Sequence, residues 1–418
     1  MKEDIEATDQ INARAYVQPL DVDLDASDWI YHHEGNENIL FKYIGNSTVL
    51  QGQILRLRKQ DVSEHRAIEN DGNSTSDSKQ REKTLLQLYH DRSSFSHDVI
   101  GRLLGEKYIL SQRLVRVSKY LVTQLNAAAA SQRPANRLHK QADIDQTLGL
   151  LIPDMAQDGQ SLTIEIKPKW GFLPTSCNVN PVKHRTCRYC MHKYLKHSVD
   201  KISEFCPLDL YSGDPARVEQ AVDALVVNPQ NNLRVFVDGN LVDGSPAEAV
   251  ANWDVFKKVL VQILVKDEVL PKLAHLQRSL DKFDIEGVYP RYLAALQSGA
   301  LSETEPSIED WISACSAYIL REHKITTDAQ STDILDEKQK VLEFMLSVTL
   351  KDVSIMIQIE SWPPQSLEDS KSRYRIAVVD TDAKKLSKMF MYFERDRAIV
   401  KNYLDLFPDA NLQTKCTE

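Results

Sequence analysis

Much is absent from this 418-residue chain. No apolar run approaches the ~20 residues a membrane span requires, so membrane insertion is not expected. The opening residues, MKEDIE, lack a basic stretch followed by an apolar one, so no secretory signal is expected there. There is no G-x-x-x-x-G-K-[ST] loop, no clean G-x-G-x-x-G and no internal repeat. Cysteine is sparse, six in all, which fits reduced thiols inside a cell. A structural zinc site is disfavoured: Cys187-x-x-Cys190 has no second pair, and Cys177, Cys206, Cys315 and Cys416 are scattered, with His184 the nearest further donor. Cationic residues are outnumbered, 51 Lys+Arg against 60 Asp+Glu, for a net charge of −9. That balance argues against general nucleic-acid binding, though not against a local basic site.

One further absence carries the functional reading. Between Ile166 and Val199 there is no acidic residue, while seven Lys/Arg and three His are present. An acidic protein that concentrates positive charge in one segment is built to hold something anionic there.

The apolar fraction of 42 % and the length suit a globular protein of two domains. Residues 1–25 read as a polar tail. Ile39 to Arg58 reads as hairpins turning at Gly45-Asn46, and Glu64 to Lys83 as a flexible insertion. Strands are expected at Leu148–Pro153, Leu162–Lys167, Asp352–Ile359 and Tyr374–Asp380. Helices are expected from Pro215 to Val226, from Trp253 to Phe283 with a break at Pro271, over Pro306–Leu320 and Glu337–Thr349, and from about Lys384 to Leu406. Strands dominate early and helices late, which predicts an α+β fold: a β-rich lobe over 26–152 and a larger helix-rich lobe over 153–418.

Five constellations bear chemistry. In Glu165-Ile-Lys167-Pro-Lys169, alternate residues of a strand share a face, so two ammonium groups flank one carboxylate; an exposed charged strand face is the plainer alternative. His184, Arg188, His192 and Lys196 step by four and would form one helical stripe without an interspersed acid to relieve it. Asp380-Thr-Asp382 precedes Lys384, Lys388 and Tyr392; paired carboxylates suit Mg²⁺, and equally suit a helix cap. Asp352 opens an apolar strand, as a general base or as a surface acid. Asn231-Asn232-Leu-Arg234 precedes a strand, as an amide and guanidinium clasp or as an ordinary turn. His33-Glu34-Gly35-Asn36-Glu37-Asn38 is a weak phosphate-covering loop.

Taken together, EIKPKWGF (Glu165–Phe172), RTCRYCMHKYLK (Arg185–Lys196), NPQNNLRVF (Asn228–Phe236), KDVSIMI (Lys351–Ile357) and Asp380-x-Asp-x-Lys384 resemble the inositol-pentakisphosphate 2-kinase family, in that family's order and spacing. The resemblance implies a two-lobed kinase-like fold that transfers the ATP γ-phosphoryl to the 2-hydroxyl of inositol 1,3,4,5,6-pentakisphosphate. It implies catalytic roles for Asp352 and Lys167, and metal ligation by Asp380 with Asp352. Inositol-phosphate contacts would come from Lys167, Lys169, Arg188, Lys196, Asn232, Lys384, Lys388 and Tyr392. Gly35, Asn38, Arg56, Asp154, Glu165, Asn231 and Arg234 would lie on the nucleotide side, with the adenine crossover around Leu151–Met155. Arg113 and Arg116 compete for one further substrate contact. ATP and Mg²⁺ are the implied cofactors, and a nuclear or cytoplasmic monomer is expected.

The charge balance agrees. Each phosphomonoester carries about −1.5 to −2 at neutral pH, so five bring roughly −8 to −10. Two departures stand out. Plant members of the family resemble one another in a zinc site upstream of the KDVSIMI-like segment, where this chain offers only Cys315 and His323. Lys388 stands where relatives can have Arg, keeping the charge and losing the bidentate fork. A non-catalytic binder of RNA or phosphoinositide, or a kinase of another small polyol, remains as the alternative.

Overall fold

A strand with Ile and Leu at every second position packs that face into a core. Ser161–Ile166 (β7) does this with Leu162, Ile164 and Ile166, all within 1 % of full burial. In the computed structural model, which describes residues 19–61, 75–157, 161–196, 201–327, 336–360, 362 and 374–418, β7 is the centre of a five-stranded antiparallel sheet. On one side it pairs with Ser354–Glu360 (β10), which pairs in turn with Tyr374–Val379 (β11); on the other it pairs with Leu233–Val237 (β8), which pairs with Asn240–Leu241 (β9).

The chain divides into two compact units, one of residues 1–93 and 110–154, the other of 94–109 and 155–418. The architecture is mixed helix and sheet, an α+β fold. In the first unit, Trp29–Glu34 (β1), Asn38–Tyr43 (β2), Gln53–Asp61 (β3), Leu148–Pro153 (β6) and Arg113–Arg116 (β4) form an antiparallel sheet in that order, with Lys140–Ala142 (β5) beside β3. Its core is Trp29, Ile39, Phe41, Leu55, Leu57, Val115 and Leu151, closed by Leu121, Val122 and Leu125 of the helix Lys119–Ala129 (α2). Ser118 caps α2 by accepting from Leu121 N at 3.1 Å. Buried Glu34 accepts from Lys59 at 2.6 Å and from Arg133 at 2.8 and 2.9 Å, so its charge is fully paired.

The second unit surrounds its sheet with helices whose ends follow ordinary capping chemistry. Asp214 caps Pro215–Val227 (α4), accepting from Arg217 N at 2.9 Å, and Asp336 caps Glu337–Leu350 (α9), accepting from Gln339 N at 2.6 Å. Between them run Trp253–Lys266 (α5), Val269–Leu280 (α6), Asp284–Gln297 (α7) and Ile308–Thr327 (α8).

Three expectations about elements need correction. The break after Trp253 falls at Asp267-Glu268, not at Pro271. Asp267 Oδ1 accepts from Val269 N at 2.9 Å and from the Tyr108 hydroxyl at 2.7 Å, which stops one helix and starts the next; Pro271 sits in the first turn of α6, where an N–H is not needed. Residues 64–74 of the expected insertion lie outside the described residues, and from Thr75 the backbone is helical to Ser94 (α1). Leu85, Leu86 and Tyr89 of α1 pack on Leu114, Leu148 and Leu150. The final helix, Met389–Leu406 (α10), begins later than Lys384, after a 3-10 turn at Leu386–Lys388.

Candidate functional site

The end of β7 supplies the first cations. Lys167 Nζ donates to Asp380 Oδ2 at 3.1 Å, joining the strand to the turn after β11. Glu165 and Arg234 face each other in the β7–β8 register and are bonded at 3.1 Å. Beyond Pro168 the chain turns sharply at Lys169, whose φ of 62° is left-handed. Gln277, fully buried, holds that turn: its Nε2 donates to the Lys169 carbonyl at 3.1 Å, and its Oε1 accepts from Gly171 N at 2.8 Å. Gly171 is obligatory, because a Cβ there would sit 2.7 Å from the Tyr211 ring. Burial pushes the Lys169 ammonium down to about 8, against the pull of Asp352 and with the repulsion of Lys167, Lys196 and Lys384.

The second source is Arg188–Lys196 (α3). His184 falls outside it, in a 3-10 turn, with Nδ1 at 2.8 Å from the Pro174 carbonyl oxygen, so the four-membered stripe is a correction. His192 lies on α3, but burial and the neighbouring Arg188, Lys196, Arg395 and Lys169 drive its pKa down to about 3, leaving it neutral. The stripe therefore presents two charges, Arg188 and Lys196. Arg188 is held from two sides: its Nε donates to buried Asp396 at 3.0 Å, and its guanidinium lies 4.9 Å from the Trp170 ring centroid. Lys351 covers the same indole at 4.0 Å and pairs with buried Asp281. Lys183, 1 % exposed, donates to Asp284 at 2.5 Å and to Asp396 at 2.7 Å.

The third source is the segment after β11. Asp380 is exposed and adopts a left-handed φ of 63°, strain of the kind found at functional positions. The next residue, Thr381, is buried and bonded through its hydroxyl to Ser96 at 2.9 Å, in the π-helical turn Phe95–Gly101. Lys384 Nζ donates to Asp352 Oδ2 at 2.5 Å. Desolvation alone would raise the Asp352 carboxyl, but Lys384, with Lys169 and Lys167, holds it below its ordinary range. Lys384 precedes the helix, Lys388 is exposed at its threshold, and Tyr392 lies half-buried within it. Glu305 clamps this approach, accepting from Leu386 N at 2.6 Å and from the Ser387 hydroxyl at 2.6 Å.

Lys167, Lys169, Lys384, Asp352 and Asp380 thus interact within one unit, and Lys196 acts electrostatically on Lys169. Asn232 is 2 % exposed and turned inward, donating to the Tyr189 hydroxyl at 2.8 Å, whereas Asn231 is exposed. Gly35, Asn38, Arg56 and Asp154 belong to the first unit. Gly35 N donates to the Asn38 carbonyl at 2.9 Å, closing the β1–β2 turn. Asp154 is buried, 3.7 Å from Lys42. On β4, Arg113 donates to the Val49 carbonyl at 3.3 Å and Arg116 is exposed.

Arg395, Asp396, Gln277 and Trp170 were missed as site residues. Asp396 lies four residues beyond Tyr392, a spacing that puts it on the same helical face. Gln277 carries no sequence signal, since its role comes from the path of a distant turn. Cys315 is buried, with its thiol 3.7 Å from the Val99 carbonyl oxygen.

Sequence comparison gives this geometry its context. Residues 31–398 match the family model described as inositol-pentakisphosphate 2-kinase. A protein of that name from Arabidopsis thaliana is 28 % identical over 439 residues, covering 91 % of this chain and 94 % of its own. One from Oryza sativa subsp. indica is 30 % identical with the same coverage, and one from Danio rerio is 26 % identical, again covering 91 % and 94 %. These matches define the class: a phosphotransferase acting on an inositol phosphate. The chain belongs to the inositol-pentakisphosphate 2-kinase family.

Proposed function

We propose that this protein transfers the γ-phosphoryl group of ATP to the 2-hydroxyl of inositol 1,3,4,5,6-pentakisphosphate, giving inositol hexakisphosphate. The observation that carries this reading is the interlocking of cations with two exposed acids: Lys167 with Asp380, and Lys384 with Asp352. In this reading the fold is two-lobed and kinase-like, and Gly35, Asn38, Arg56, Asp154, Glu165, Asn231 and Arg234 contact the nucleotide.

Phosphoryl transfer passes through a loose transition state, so catalysis is mostly positioning and charge neutralisation. Lys169, Arg188, Lys196, Lys384 and Lys388 neutralise the ring phosphates, with Tyr392 completing the wall and Asn232 supporting it from behind through Tyr189. Asp352, ionised at neutral pH, orients the 2-hydroxyl and accepts its proton. Lys167 fixes the Asp380 carboxylate and meets the transferring group. Mg²⁺ takes one or two carboxylates together with substrate phosphates, and exposed Asp380, with Asp352, provides such hard oxygen donors. Bound there, the ion would neutralise the nucleotide phosphates. No helix among the described residues is long and apolar enough to cross a membrane.

The test is direct. Purified protein incubated with ATP, Mg²⁺ and inositol pentakisphosphate is expected to yield inositol hexakisphosphate on anion-exchange chromatography. Asp352→Ala and Asp380→Ala are expected to abolish the product while circular dichroism and melting stay unchanged. A folded Asp352→Ala variant with substantial turnover overturns the assignment.

A further inference from the structure

Four of the six cysteines, which the sequence leaves scattered between positions 187 and 416, meet at one point. The sulfurs of Cys187, Cys190, Cys206 and Cys416 all lie within 4.8 Å of one another. Cys187 and Cys190 flank Arg188 at the start of α3, Cys206 precedes the short helix Pro207–Leu210, and Cys416 lies on the final segment. Among the described residues this is the one group of three or more His, Cys, Asp or Glu that can share an ion. This corrects the disfavouring of zinc by spacing: the second pair is not a C-x-x-C but two residues brought together by tertiary structure.

We propose that these four thiolates bind one structural zinc ion. A tetrahedral ion with Zn–S bonds of ~2.3 Å sets its sulfurs about 3.8 Å apart, well inside the observed limit. All four ligand positions are filled by protein, so nothing is left open for substrate, as in structural rather than catalytic sites. Cys187 and Cys190 are at most 1 % exposed, and Leu173, Leu208 and Tyr189 pack around the group as a dry shell.

The outer shell is in place as well. Cys187 N donates to Cys416 Sγ at 3.4 Å, and Cys190 N donates to Cys187 Sγ at 3.4 Å. Such N–H···S bonds orient and stabilise thiolates. The N-terminal end of α3 adds its partial positive charge. On binding, the four thiols release four protons to solvent and the complex carries a net −2.

The tail that delivers Cys416 is itself fastened. Cys416 N donates to the Arg185 carbonyl at 2.8 Å, the Thr186 hydroxyl donates to the Thr414 carbonyl at 2.5 Å, and Arg185 donates to Gln413 Oε1 at 2.6 and 2.9 Å. The ion would therefore tie two distant segments, those of Cys206 and Cys416, to the turn that presents Arg188. This assignment stands independently of the kinase reading.

The test is metal analysis of tag-free protein, purified without chelator or added zinc. The expected result is about one zinc per chain, retained on dialysis and released when an organomercurial titrates the thiols. Cobalt exchanged into the site is expected to show thiolate charge-transfer absorption and intense tetrahedral d–d bands. Cys206→Ser with Cys416→Ser together is expected to remove the zinc, while Cys315→Ser retains it. The proposal is overturned by metal-free wild-type protein, by a disulfide between any two of the four found in alkylated digests, or by full zinc content in the double variant. If the double variant does not fold, the wild-type stoichiometry and the cobalt spectrum decide alone.

Discussion

The substitution Asp396→Asn isolates what holds Arg188 in place. Asp396 is 1 % exposed and accepts from Lys183 at 2.7 Å and from Arg188 at 3.0 Å. The wild-type group of Lys183, Arg188, Asp284 and Asp396 is balanced; the neutral amide of the variant leaves one positive charge in surplus beside a lysine that cannot reach water. Breaking one partner of a buried ionic group costs about 3–5 kcal/mol. The lower end applies, because Lys183 keeps Asp284 at 2.5 Å and has Glu286 at 3.8 Å. For a unit of this size, about 3 kcal/mol lowers the melting temperature by roughly 5 °C. Arg188 keeps its indole but loses its anchoring carboxylate, so KM for inositol pentakisphosphate is expected to rise roughly tenfold, equivalent to about 1.4 kcal/mol. Burial opposes ionisation of Asp396, but Lys183 and Arg188 outweigh it and hold the carboxyl below its ordinary value. Its contribution is therefore complete above the unfolded pKa of about 3.9 and is lost as pH falls below that, so the gap between variant and wild type closes only in acid. Differential scanning calorimetry and steady-state kinetics provide the readout. Arg188→Met is the control, with a larger loss of substrate affinity and a smaller loss of stability, since Asp396 keeps Lys183 at 2.7 Å. A melting temperature within about 2 °C of wild type, together with an unchanged KM, refutes the reasoning.

Three further outcomes are expected. Lys169, with its pKa lowered to about 8, is part neutral in the free protein near that pH, and a bound polyanion recharges it. Calorimetric titrations with inositol pentakisphosphate at pH 8–9, in buffers of different ionisation enthalpy, are expected to show proton uptake that Lys169→Met removes; by the same linkage the unliganded fold gains stability as pH rises from about 8 towards 10.5, because the unfolded chain binds the extra proton. Glu305→Ala is expected to raise KM several-fold without changing the melting temperature by more than about 1 kcal/mol equivalent, and Glu305→Gln to rescue part of it through its remaining acceptor; equal kinetics for all three proteins argue against a positioning role. Arg321→Ala breaks a bidentate buried pair with Glu343, both bonds at 2.7 Å, and is expected to cost about 3 kcal/mol in a denaturant melt while leaving kcat untouched.

What the sequence made legible followed from local periodicity. The strand Ser161–Ile166 and the helix Pro215–Val227 carry their own signals, alternation in one and a Ser-Gly-Asp-Pro start in the other. The charged motifs were visible because acids are missing around them. What failed was spacing taken as continuity. His184 to Lys196 steps by four, yet only the part from Arg188 is α-helical; Lys384 to Tyr392 steps by four across a 3-10 turn pinned by Glu305 from 81 residues away. His192 shows the same limit in charge: formally a cation, it is kept neutral by burial and by the cations that made the stripe conspicuous. Gln277 and Cys416 matter because of where distant backbone runs, which no window of sequence contains.

Trp170 lies between two cations, the Arg188 guanidinium at 4.9 Å and the Lys351 ammonium at 4.0 Å. Lys351 is locked to Asp281, whereas Arg188 is the one to which the proposed function gives a ring phosphate. An indole responds to charge above its ring, so any ligand that draws Arg188 forward changes the emission of this one side chain. The other four tryptophans sit elsewhere, three of them sealed in cores. Trp170 emission is therefore expected to shift when the proposed phosphate site fills, readable in a cuvette without label or coupled enzyme.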